Sequence, residues 1–307
     1  ITFLRRIENL EYIEAVKLLA QKAGVQVPED SMDDSGARLK ARTLEINRET
    51  ARFYHQCLVS DVGKDAYRYL IERGRTPKII TRFGLGYAPD DWNSLVNHLK
   101  SKGFREEEME ASGICVRSKK GGLYDRFRGR VIFPIIDLRG NVVAFGGRAM
   151  GDKGPKYLNS SDTPVFKKSK NLFALNFAKA SKAPNLILAE GYMDVIAIHQ
   201  AGFDNAVASL GTALTSGHAN LLKRYTREVY LTYDSDGAGV KAALRAIPIL
   251  KEVGIVTKII NMQPYKDPDE FIKNRGTEAF EERIKQAENS FFFEIRMLQR
   301  DFDLNDP

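Results

Sequence analysis

Six carboxylates in the second half of the chain, Glu190, Asp194, Asp234, Asp236, Asp267 and Asp269, stand at spacings that suit divalent-cation binding. The apolar run from Asn185 ends on Glu190, and Gly191 leads at once into the helical spacing of Tyr192, Met193, Val195, Ile196 and Ile198. Such a run predicts a buried strand, whose C-terminal end is where open α/β sheets place ligands. Asp194 falls one helical turn on and can point back to the same crevice; a first-turn Asp would equally favour the helix dipole. Val229-Tyr-Leu-Thr-Tyr predicts a strand ending on Asp234, with Asp236 two residues later and Gly237-Ala-Gly239 opening a helix. Asp267-Pro-Asp269 follows a further strand, although Asp267 would equally cap the helix after it. Gathered along one sheet edge, Glu190, Asp234, Asp236, Asp267 and Asp269 would repel one another unless cations neutralise them. All-oxygen ligands select Mg²⁺ or Mn²⁺ over zinc. Paired ions held this way serve phosphoryl transfer. His55, His98, His199 and His218 are scattered without ligand spacing.

Strands at 185–190, 205–209, 229–234 and 256–262 alternate with helices at about 192–201, 215–226 and 237–253. That array predicts a mostly parallel sheet with right-handed crossovers. Upstream, residues 1–60 read as helices, Glu8–Ala23 and about Ala37–Val59, with a linker at Glu29–Gly36. A third helix spans Lys64–Arg73, and Thr76–Pro89 mixes a short helix with a strand. Asp91–Gly103 is helical with Asp91 as N-cap. Arg130–Asp137 and Asn141–Phe145 flank Leu138-Arg139-Gly140, a hairpin signal. After Pro268 the chain is helical to its end. The fold class is therefore α/β, or α+β taken whole. A mixed N-terminal basic subdomain (1–180) precedes the parallel-sheet subdomain (181–275) and a C-terminal helical subdomain (276–307).

The charge is unevenly spread. The 307-residue chain carries a net +7, but from Arg117 to Lys170 there are 13 Lys and Arg against 4 Asp, so the remainder is slightly acidic. A basic block beside a separate acid cluster points to a polyanion partner. Arg126, Arg128 and Arg130 at spacing two would share one face of an extended segment and repel without an anion to bind. Arg148 and the loop bearing Lys153, Lys156, Tyr157 and Asn159 interleave cations with an aromatic, which suits bases and phosphates. Lys167, Lys168 and Lys170 read as a solvated face. Cys57 and Cys115 form no Cys-x-x-Cys pair, which excludes a zinc ribbon in this stretch and fits a reducing compartment. No apolar run approaches the roughly 20 residues of a membrane span, and no signal peptide is present. A start at Ile1 in mid-pattern and a stop at Pro307 lead us to expect an excised fragment.

Glu190-Gly-Tyr-Met-Asp194 with Asp234-Ser-Asp236-Gly237 resembles the Toprim signature of primases, topoisomerases and small nucleases. Tyr124-Asp-Arg-Phe-Arg-Gly-Arg-Val-Ile-Phe-Pro-Ile, Phe145-Gly-Gly-Arg148, Lys156-Tyr-Leu-Asn-Ser160, Thr163-Pro-Val-Phe166 and Lys266-Asp-Pro-Asp-Glu270 resemble motifs of bacterial DnaG-type primases. The resemblance spans nearly the whole chain. It implies the RNA polymerase core of a primase, a nucleotidyltransferase that makes RNA primers on single-stranded DNA for replication. It implies Glu190, Asp234 and Asp236 as catalytic acids. With Asp194, Asp267 and Asp269 they would hold two or more Mg²⁺ or Mn²⁺ ions. Arg126, Arg128, Arg148, Lys156, Tyr157 and Asn159 fall on nucleotide- or template-binding positions. Implied partners are single-stranded DNA template, ribonucleoside triphosphates, and guanosine tetraphosphate as inhibitor. Replicative helicase and single-strand-binding protein would be reached through flanking modules. The implied location is cytoplasmic, at the replication fork, with no membrane contact. Two rival readings stay open: a Toprim-type metal-dependent nuclease and a non-catalytic nucleic-acid-binding module. A topoisomerase would need a nucleophilic tyrosine and strand-passage domains, for which the chain has no room.

Overall fold

The computed structural model describes residues 1–8, 10, 12–25, 34–119, 121–151 and 154–301. Most of the expected linker at 29–36, and Lys153, lie outside the described residues. Three sheets form. A four-stranded antiparallel sheet takes the order β1-β4-β5-β6, and β2 pairs with β3 in a separate ribbon. These strands are β1 (Gly86–Ala88), β2 (Cys115–Arg117), β3 (Leu123–Asp125), β4 (Arg130–Ile136), β5 (Val142–Ala149) and β6 (Tyr157–Asn159). The second large sheet comprises β7 (Leu186–Ala189), β8 (Ala206–Ala208), β9 (Glu228–Thr232), β10 (Val256–Ile259) and β11 (Glu288–Asn289). Its order is β11-β10-β9-β7-β8, with β8, β7, β9 and β10 parallel and β11 antiparallel at the edge.

The β4–β5 hairpin forms where expected. Gly140 takes a φ of +88°, and the Asp137 carboxylate accepts from the Arg139 and Asn141 N–H groups at 2.9 and 2.8 Å. Both faces of β4 are covered. Ile132 packs with Ile46 and Tyr54 of the helix Asp34–Val59, while Val131, Phe133 and Ile135 face Tyr192 and Ile196. Pro134 sits past the end of β1, where β4 lacks a neighbour on that edge and its missing N–H costs nothing. The parallel sheet alternates in the same way. Ile187, Ala189 and Tyr230 join the cluster around Tyr192, whereas Leu188, Val229 and Leu231 pack on Ala243, Ile247 and Leu250 of the helix Gly237–Glu252. The layers run helix, antiparallel sheet, helix Tyr192–Gln200, parallel sheet, helix.

That central helix is buried from Tyr192 through His199, as its nearly unbroken apolar sequence demands. Tyr192 stacks on Phe133 at 4.9 Å and donates its hydroxyl to Asn159 Oδ1. A Cβ on Gly146 would lie 2.5 Å from the Tyr192 ring, so only glycine admits the ring there. Phe173 exchanges backbone hydrogen bonds with Ala208, fastening the chain between the sheets to the edge strand β8.

One local expectation is corrected. Asp91 accepts from Asn93 N–H and Ser94 Oγ at 2.9 and 2.8 Å, but the helix starts only at Ser94, so Asp91 is not its N-cap. The Leu95 and Val96 N–H groups donate instead to Asp125 of β3, at 2.8 and 2.9 Å. Helix ends need an acceptor for their free N–H groups, and a residue thirty positions away supplies it.

Gly146→Ala should lower stability by about 1–3 kcal/mol through overpacking against Tyr192. Tyr192→Phe keeps the ring and should cost only about 1 kcal/mol. Denaturant melts of both variants check the pair; a Gly146→Ala protein as stable as the parent would show that the ring is not confined there.

Candidate active site

The chain leaves β7, passes to β8 on one side and returns to β9 on the other, so the strand order reverses between β7 and β9. Ligand crevices open at such reversals, beyond the strands' C-terminal ends. Ala189 pairs with Thr232 in this register. Glu190 therefore emerges beside Asp234, and Glu190 Oε2 accepts from the Asp234 N–H at 3.2 Å. Burial, and then the neighbouring Asp234 carboxylate, raise the Glu190 pKa. Burial raises Asp234 as well, opposed by Lys266, whose Nζ lies 3.2 Å from Oδ2. Asp236 caps the helix Gly237–Glu252, its Oδ1 accepting from Ala238 and Gly239 N–H at 3.0 and 2.9 Å, so its second oxygen takes no part in the cap. Gly239 permits that turn, because a Cβ would fall 2.0 Å from the Asp234 carbonyl oxygen.

Asp267 caps the helix Pro268–Lys285 through Glu270 N–H at 2.8 Å. The Lys266 carbonyl accepts from Ser235 N–H at 2.8 Å, which ties the two acidic loops together. Asp194 is buried, and burial raises its pKa well above normal, followed by the fields of Asp267, Asp234, Asp269 and Glu190. Asp269 differs from the rest: Arg73 and Arg75 take its two oxygens. Among the described residues no three His, Cys, Asp or Glu side chains converge to metal-ligand distance. The donors that follow β7 and β9, Glu190, Asp234 and Asp236, are all carboxylates. Glu190 and Asp234 both sit above the ordinary carboxylate range, through burial first and then through neighbouring acids. That donor set fits a hard divalent cation and not zinc.

The basic side departs from the expected single face. Gly129 takes a φ of +58°, and the segment after β3 bends instead of extending. Arg126 turns inward and donates to the Asn159 carbonyl at 3.1 Å. Arg130 is buried and donates to the Pro155 carbonyl at 2.9 Å. Arg128 lies over the exposed Trp92 ring at 4.1 Å and near Tyr124 at 5.4 Å. Arg148 lies over Tyr69 at 4.7 Å and reaches Tyr157 at 6.0 Å, and its Nη1 is buried without a hydrogen-bond partner. Lys156 is exposed. The Asn159 side chain is engaged at both ends, by Tyr192 and by the Leu210 carbonyl at 3.1 Å. Sequence reasoning missed Lys266, Arg73 and Trp92. Lys266 adjoins an expected acid, and Trp92, the lone tryptophan, precedes the expected helix; each was a signal of position without a partner.

Two family models match the chain. One, described as "DNA primase catalytic core, N-terminal domain", covers residues 53–179, and one described as "Toprim-like" covers residues 187–272. The DNA primase of Clostridium acetobutylicum is 44% identical over 310 residues, covering 100% of this chain and 51% of its own length. That of Escherichia coli K12 is 38% identical over 316 residues, covering 100% of this chain and 54% of its own. The chain thus spans about half the length of the curated relatives it matches. A DnaG primase catalytic domain solved bound to single-stranded DNA superposes with a TM-score of 0.79 at 37% identity, over 88% of this chain and 86% of the other. The RNA polymerase domain of Mycobacterium tuberculosis primase DnaG gives 0.79 at 34% identity, over 86% and 89%.

Asp125 offers a test by pH. Burial pushes its carboxyl from 3.8 up to about 6, against the opposing Leu95 and Val96 N–H bonds. A raised carboxyl pKa favours the folded state below the unfolded value and loses that contribution as pH climbs through the folded one. The parent should therefore lose stability between about pH 4 and pH 6 at this residue. Asp125→Asn should flatten that part of the curve, and an unchanged curve would remove Asp125 as the titrating group.

Proposed function

The chain belongs to the DnaG-type primase catalytic-core family, and on that premise we propose that it synthesises RNA primers on single-stranded DNA by template-directed nucleotidyl transfer. The observation that carries the reading is the pairing of Glu190 with Asp234 at the β7/β9 reversal, within the same packed core as the basic antiparallel sheet. The 3′-hydroxyl of one ribonucleotide attacks the α-phosphate of the next, and pyrophosphate leaves. Glu190, Asp234 and Asp236 would hold the cations, with Asp194 and Asp267 adjoining. Bound there, two Mg²⁺ or Mn²⁺ ions supply charge neutralisation for the triphosphate and a lowered pKa for the attacking hydroxyl.

The chain's own residues do the rest. Arg148 presents an unpaired buried N–H suited to a phosphate oxygen. Tyr157, half-buried against Arg148, offers a ring face to the nucleotide. Exposed Lys156 adds positive charge at the rim. Arg128 on Trp92 gives a cationic, aromatic face to the template, while Arg126 shapes the loop through its bond to Asn159. Base pairing reads the sequence, so these contacts need only follow the backbone. On this reading the partners are a single-stranded DNA template and ribonucleoside triphosphates, with guanosine tetraphosphate competing at the nucleotide site. Replicative helicase and single-strand-binding protein act through flanking modules, at a cytoplasmic replication fork. Among the described residues no helix is long and apolar enough to cross a membrane.

With template, ribonucleotides and Mn²⁺, the chain should yield short RNA that requires both template and triphosphates. Asp234→Asn or Asp236→Asn should reduce the yield by about 100-fold or more, since ligand loss forfeits several kcal/mol of charge stabilisation. Shortened template without RNA would instead favour the nuclease.

A further inference from the structure

Helix Lys64–Glu72 ends in a left-handed turn. Gly74 takes a φ of +82°, Arg75 N–H donates to the Leu70 carbonyl at 2.9 Å, and Gly74 N–H donates to Ile71 at 2.8 Å. This closure satisfies the last carbonyls of the helix and reverses the chain. Arg73 and Arg75, on either side of Gly74, thereby converge on one carboxylate, that of Asp269, 194 residues beyond Arg75. Arg73 Nη2 donates to Oδ2 at 3.0 Å and Arg75 Nη2 to Oδ1. Arg75 is 3% exposed and Asp269 5%. The same turn is gripped twice more from the acid-bearing half. Gln200 donates to the Gly74 carbonyl at 2.7 Å and accepts from Thr76 N–H at 2.9 Å, and Lys273 donates to the Glu72 carbonyl at 3.2 Å.

A carboxylate with each oxygen bound by a guanidinium is already neutralised, and a metal ion would have to displace one of the two arginines to reach it. We propose that Asp269 is a positioning residue and not a metal ligand: with Arg73 and Arg75 it clasps the turn Arg73–Thr76 to the helix Pro268–Lys285. The clasp fixes the N-terminal half against the loop that carries Asp267. The proposal deepens the nucleotidyl-transfer reading in saying which acids are left for cations, but the clasp itself rests on geometry alone.

Thermal melting in metal-free buffer and calorimetric Mn²⁺ titration on the same preparations test it. Arg75→Met leaves the buried carboxylate only the half-exposed Arg73 as its partner and should lower the melting temperature by about 5–10 °C. Adding Asp269→Leu should restore most of that loss, because a buried ion pair replaced by apolar groups of similar size is tolerated. The double variant should bind Mn²⁺ within about threefold of the parent, while Asp236→Asn weakens it at least tenfold. A double variant that melts like the parent yet binds Mn²⁺ tenfold more weakly would overturn the proposal, as would melting losses that add instead of cancelling. Failure of the primase reading shows elsewhere, as absent templated product from protein whose melting still obeys the clasp.

Discussion

The contact on which the site depends is the insertion of the Tyr192 ring against Gly146. Tyr192 lies two residues after Glu190 and Gly146 two residues before Arg148, so one close approach sets the acid-bearing strand end in register with the basic strand. Phe133 stacked on one side and the Asn159 amide at the hydroxyl leave the ring a single placement. Because cores are packed like crystals, this register is rigid, and the acids and the arginine belong to one body although they come from different sheets.

The acid cluster works against that rigidity. Three carboxylates at one sheet edge are held with raised pKa values by burial and by one another. Strain of this kind persists only where the surroundings over-determine it. Here the restraints are the caps made by Asp236 and Asp267, the Lys266 pair at Asp234, and the Ser235–Lys266 backbone bond. The acids that cap helices therefore do two things at once. Each adds negative charge beside Asp234 and uses one oxygen to fix its own loop.

The acids were legible in the sequence because a buried strand ending on a carboxylate is a local pattern, and the register Ala189 to Thr232 needed only that the strands be parallel neighbours. The β4–β5 hairpin was legible for the same reason: its turn chemistry is contained in five residues. What failed was non-local or depended on backbone conformation. Spacing two placed Arg126, Arg128 and Arg130 on one face only if the segment were extended, and Gly129 at positive φ removes that condition. The cap of the helix Ser94–Ser101 comes from Asp125, and the partners of Asp269 from the far half of the chain; no periodicity encodes such pairs. The strand order, with its reversal at β7 and the antiparallel β11, is a choice among topologies that the alternation of elements leaves open.

The unequal locality of the two sheets also sets an order of events in folding. The β4–β5 hairpin closes a short loop and is entropically cheap, whereas β7 must find β9 across more than forty residues, further than it lies from β8 or β9 from β10. Non-local parallel pairing is intrinsically slow. Glu190 and Asp234 meet only when β7 and β9 pair, so their repulsion is absent from the early collapsed chain and arises after the hairpin is in place. The charge conflict that suits the finished site thus falls late in folding, where a packed scaffold is already present to oppose it.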